Sequence, residues 1–72
     1  MVFDKTKAMR NAERFLAQGK IRLAINEYKQ VVENDQRDLI TLNLLGDLYA
    51  KVSENSLAVK CYMAVAEHYE KQ

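Results

Sequence analysis

The 72-residue sequence predicts an all-α fold of four antiparallel helices, built as two copies of one helix–turn–helix hairpin. Three observations carry this expectation. Residues match in size and order at a fixed interval, the one from Ala24 to Ala58, and a fixed period of this kind is the signature of a repeated supersecondary unit. Apolar residues recur at helical spacing, with no Pro and two Gly to interrupt them. The connectors between the apolar runs are short and polar, which makes sequential helices antiparallel neighbours.

The echo is centred on Leu42, Leu45, Gly46, Tyr49, Ala58 and Tyr62. This stretch reads L-x-x-L-G-x-x-Y, then A-x-x-x-Y. Their partners one period earlier are Ala8, Asn11, Ala12, Phe15, Ala24 and Tyr28. The match continues through Leu23 and Leu57, Ile25 and Val59, Val31 and Val65, and Glu33 and Glu67. The chain is therefore read as a single domain, 1–72, with repeat one at 5–38 and repeat two at 39–72.

The first helix is expected over 4–18. Asp4 stands at its start, where a carboxylate accepts from free backbone N–H groups. Ala8, Ala12, Phe15 and Leu16 recur along one face. Gly19 ends it, because glycine takes the left-handed conformation at little cost. The second helix is expected over 20–33, with Ile21, Ala24, Ile25, Tyr28, Val31 and Val32 as its apolar stripe. The polar run Asn34-Asp35-Gln36-Arg37-Asp38 connects it to a third helix over 37–51. That helix carries Ile40, Leu42, Leu44, Leu45, Leu48 and Tyr49, apolar nearly all round, so cover on more than one side is expected. It is expected to pack against both the first and the second helix. Ser53-Glu54-Asn55 breaks the pattern before a fourth helix over 55–70, with Leu57, Ala58, Tyr62, Val65, Ala66 and Tyr69.

Composition narrows the function classes. Eleven basic residues against ten acidic leave a net charge of +1, which offers no basic field for nucleic acid. No apolar run approaches the ~18 residues of a membrane span, and the N-terminal MVFDKTKAMR lacks the apolar core of a signal peptide. A single cysteine, Cys61, forms no intrachain disulfide, as expected of a cytoplasmic protein.

These residues resemble the tetratricopeptide repeat, whose pattern is W-x2-L-G-x2-Y…A-x3-F…P over roughly 34 residues. Repeat two carries Leu45, Gly46 and Tyr49, then Ala58 and Tyr62; repeat one carries Ala12, Phe15, Ala24 and Tyr28. The departures are Ala8 and Leu42 at the Trp position, Asn11 beside Ala12, and Gln36 and Glu70 at the closing Pro. The chain is similar to the leading repeats of longer bacterial proteins of this type. The resemblance implies an α-α superhelix that serves as a protein–protein interaction scaffold. It also implies that the first helix of each repeat lines a concave groove, carrying here Thr6, Met9, Arg10, Glu13, Asn43, Leu44, Asp47 and Lys51. Some family members hold a chaperone's C-terminal carboxylate with Lys and Asn side chains. The aligned positions here are Met9, Glu13 and Leu44, which offer no donor, so such a tail is not an expected ligand.

The remaining constellations point away from catalysis. Cys61 and His68 lie two helical turns apart, too far to share a zinc ion or to form a nucleophile pair. Glu13 and Asp47 occupy equivalent positions and read as solvated carboxylates. Gly19 and Gly46 stand alone and make no phosphate loop. No catalytic, metal or cofactor-binding residue is therefore expected. The leading expectation is an interaction module for a protein or peptide, with no nucleic acid and no membrane. The alternatives are a ligand-free structural portion of a longer array, or a small helical-bundle enzyme or ligand-binding domain. Repeat two closes at Gln72, and Tyr62, Val65, Ala66 and Tyr69 fall at i, i+3, i+4, i+7 on the last helix. Part of that stripe is expected to pack on the third helix and the rest to drive self-association, as a homodimer or by helix exchange.

Overall fold

The computed structural model describes residues 2–71 and consists of helices joined by short turns. The helices are α1 (Lys5–Ala17), α2 (Ile21–Asn34), α3 (Leu39–Lys51) and α4 (Asn55–Glu70). Among the described residues, backbone packing runs from α1 to α2, from α2 to α3 and from α3 to α4. No such contact closes α1 onto α4. The Cα atoms span 36 × 32 × 16 Å. Four helices side by side at a spacing of ~10 Å fill about 35 Å, whereas a square bundle stays at about 15 Å in both cross-sections. The fold is therefore an open row of two hairpins.

The sequence period is written into the backbone. Asp4 Oδ1 accepts from Lys7 N at 3.0 Å and starts α1; Asp38 Oδ1 accepts from Thr41 N at 3.0 Å and starts α3. Gly19 closes the first hairpin with φ 74°, and Ser53 closes the second with φ 63°. The hydrogen bonds around them repeat as well. Lys20 N donates to Phe15 O at 2.8 Å, and Glu54 N to Tyr49 O at 2.8 Å. Gly19 N donates to Leu16 O at 3.0 Å, and Ser53 N to Ala50 O at 3.1 Å. Serine lacks glycine's freedom at positive φ, so the second turn is held by these bonds and the helices on either side.

Helix starts differ from the sequence expectation where a side chain takes over the cap. The third helix begins at Leu39, two residues later than the apolar pattern suggests. Asp35 Oδ1 accepts from Arg37 N at 3.1 Å and folds the connector into an Asx turn, leaving Asp38 as the cap. The expected packing of α3 on both earlier helices is also refined. Its backbone lies on α2. From α1 it is reached by side chains, through Lys5 Nζ to Asp38 Oδ2 at 2.7 Å and Met9 Sδ at 3.8 Å from the Thr41 hydroxyl.

The core is shared by both repeats. Ala12, Ala24, Ile25, Tyr28, Leu42, Leu45, Leu48, Tyr49, Ala58, Cys61 and Val65 form one buried cluster. The nearly all-round apolarity of α3 is explained by its two covers, α2 on one side and α4 on the other. Gly46 lets α4 come close: a Cβ there would lie 2.8 Å from Tyr62 Cε1 and 3.2 Å from Cys61 Cβ.

Asp38 joins the two repeats. It accepts from Thr41 N, from the Thr41 hydroxyl at 2.7 Å and from Lys5. Burial opposes ionisation of its carboxyl, but the hydrogen bonds from Lys5 and Thr41 outweigh it and hold the group below the usual carboxylate range. A depressed carboxyl stabilises the fold above its unfolded pKa of ~4 and loses that contribution as pH falls through the lower folded value. Asp38→Ala is expected to destabilise by about 1–2 kcal/mol through the lost cap. Asp38→Asn keeps a capping side chain and is expected to flatten the acid side of the stability–pH profile, as read by urea titration from strongly acidic to neutral pH.

Candidate functional site

The groove residues fall on two parallel helices. Thr6, Met9, Arg10 and Glu13 line a shallow depression on α1 together with Lys5. Asn43, Leu44, Asp47 and Lys51 run along the solvent side of α3. Of the eight, Met9 is half-buried and the rest are exposed. Met9 joins the two halves through its contact with Thr41, a fully buried residue at the foot of α3. The surface offers an apolar side chain from each helix, Met9 and Leu44, with one cation and one carboxylate on each: Arg10 and Glu13, Lys51 and Asp47.

Asp47 is held in place. Its Oδ1 accepts from the Tyr62 hydroxyl at 2.5 Å. That hydrogen bond, with some desolvation, pushes the Tyr62 phenol above its ordinary range. The equivalent pair in repeat one is Glu13 and Tyr28. There the tyrosine is buried, and burial followed by the Glu13 charge raises its phenol. An acid beside a tyrosine thus recurs in both repeats, and the second copy is the one open to solvent.

The expected stripe on the last helix divides between α3 and solvent: Val65 is the part buried against α3, as its equivalent Val31 is buried in repeat one. Tyr62, Ala66 and Tyr69 are exposed. They continue into two residues that the sequence reading missed, Val59 at 52% exposed and Met63 at 59%. The period held the clue: Val59 is the equivalent, one repeat later, of Ile25, which is buried under α3, whereas among the described residues no helix covers Val59.

Cys61 is buried, and that burial pushes its thiol above the usual range, so it is a weak nucleophile. His68 packs edge-on against Tyr69. Among the described residues no helix is long and apolar enough to cross a membrane. Comparison of the chain with family models, with curated proteins and with solved structures returned no match.

Proposed function

We propose that the chain is a two-repeat interaction module of the tetratricopeptide type, binding an extended segment of a protein partner along α1 and α3. The observation that supports this reading is the recurrence of caps, turns and tyrosine–acid pairs at equivalent positions of the two repeats, in an open row of hairpins. In this row α1 reaches α3 through side chains, Lys5 to Asp38 and Met9 to Thr41, and both first helices carry exposed, mixed side chains. A ligand suited to them places an apolar side chain between Met9 and Leu44 and charges of either sign beside Arg10 and Glu13 or Asp47 and Lys51. Burial of a single large apolar side chain and a few hydrogen bonds gives weak, reversible binding, in the micromolar to millimolar range. We read the module as cytoplasmic, in keeping with a chain whose one thiol is buried and unpaired.

The test is a peptide selection against the intact chain, followed by amide-shift mapping of the selected peptides. Shifts concentrated at Thr6, Met9, Arg10, Glu13, Asn43, Leu44, Asp47 and Lys51 are expected. Leu44→Asp is expected to weaken binding at least tenfold, about 1.4 kcal/mol, while the helical spectrum is unchanged. A chaperone-type acidic C-terminal peptide serves as the control that does not bind. Ligands that map to other faces, or that ignore Leu44→Asp, would refute the groove.

A further inference from the structure

We propose that the chain pairs with a second copy of itself through the outer stripe of α4, antiparallel and about a two-fold axis. The stripe is Val59, Tyr62, Met63, Ala66 and Tyr69, all exposed and spaced i, i+3, i+4, i+7, i+10. That is the spacing of a helix seam that meets another helix. It lies beside the face that α4 already buries on α3, so a docked helix extends a packed interface rather than starting one.

The identity of the occupant follows from comparing equivalent positions. α3 is buried by Thr41, Leu45 and Leu48, and the same positions of α1 are Lys7, Asn11 and Arg14. Docking α1 of one copy onto α4 of another would set Lys7, Asn11 and Arg14 against a mostly apolar stripe, where the buried leucines of α3 have no counterpart, so head-to-tail extension is disfavoured. A further hairpin of this design is disfavoured too. Around the shared core, repeat one offers half-buried Met9, Leu16, Ile21 and Val32. Repeat two has Asn43, Ala50, Asn55 and Ala66 in their places, all exposed. The broad apolar bed on which α3 sits is therefore reduced, one repeat later, to the α4 stripe alone.

The stripe complements itself. An antiparallel pairing centred at Ala64 sets Tyr62 of each copy opposite Ala66 of the other, large against small. It sets Val59 opposite Tyr69 and brings the two Met63 side chains together near the axis. A net charge of +1 per chain gives little repulsion between copies. The contact is smaller than the ~800 Å2 per partner of a stable dimer, so the dimer is weak and forms in the upper micromolar range.

Sedimentation equilibrium of the intact chain from low micromolar to millimolar concentration tests this. The mass is expected to rise from one chain to two and stop there. Met63→Glu changes an exposed helical position and is expected to shift the midpoint at least tenfold, with the melting temperature at low micromolar concentration unchanged. Lys7→Glu, on the opposite end of the row, is expected to leave the dimer intact. A monomer at all concentrations would overturn the proposal. So would a dimer indifferent to Met63→Glu, or growth beyond two chains, which is the behaviour of head-to-tail stacking.

Discussion

Leu45→Ala is expected to cost about 2–5 kcal/mol, the range for truncating a buried leucine. Asn11→Ala, the same position one repeat earlier, is expected to change stability by less than about 0.5 kcal/mol. The asymmetry comes from position in the row. Leu45 is 4% exposed and belongs to the cluster shared by α2, α3 and α4. Asn11 is half-buried and lines a surface depression with Lys7, Glu27 and Gln30. A chain of this length holds about 4–10 kcal/mol in total, so Leu45→Ala leaves a substantial unfolded fraction at room temperature. Urea unfolding followed by circular dichroism measures both variants. Equal losses at the two positions would mean that both first helices are covered alike, as in a closed bundle.

Gly46→Leu is expected to be as damaging, about 3 kcal/mol, because it overpacks the α3–α4 contact. Even the first carbon of a side chain there comes within 3.1 Å of Tyr62 Cζ and 3.2 Å of Cys61 Cβ. The Tyr62 ring is half-exposed and can swing outward, but doing so breaks its hydrogen bond to Asp47. Cys61 is buried on the helix backbone and has no such escape. In Gly46→Ala the gain in helix propensity, about 1 kcal/mol, offsets much of the strain, and a far smaller net loss is expected. Thermal melts give the stability order. The Tyr62 ring resonances report whether the ring has moved, and an unmoved ring with unchanged stability in Gly46→Leu would contradict the close approach of α3 and α4.

The helices and their order were legible because their determinants are local. Asp4 as a cap, Gly19 as a left-handed stop and the alternation of apolar runs with polar connectors each act within one turn of chain. The period made the pairing of hairpins readable as well. Two features escaped. Ser53 carries the same left-handed turn as Gly19, but a serine gives no signal of it; only its equivalent place in the second repeat does. Which part of the stripe α3 covers is the other, because Tyr62, Val65, Ala66 and Tyr69 share one helical spacing. That spacing describes a band wide enough to touch two surroundings at once. α3 covers the Val65 edge and solvent meets the Tyr69 edge, a division fixed by tertiary packing. The groove residues on α3 were placed on an exposed face by the resemblance. The Asp47–Tyr62 hydrogen bond, which joins residues 15 apart, needed the fold.

The open row of hairpins is tested most directly by a nuclear Overhauser map of the intact chain at low micromolar concentration. Contacts are expected between the Met9 methyl and Thr41, between the Tyr62 ring and Gly46, and between α2 and α3 side chains, with none between α1 and α4. A set of contacts joining α1 to α4, such as Phe15 or Ala8 to side chains of the last helix, would show a closed four-helix bundle and contradict the row.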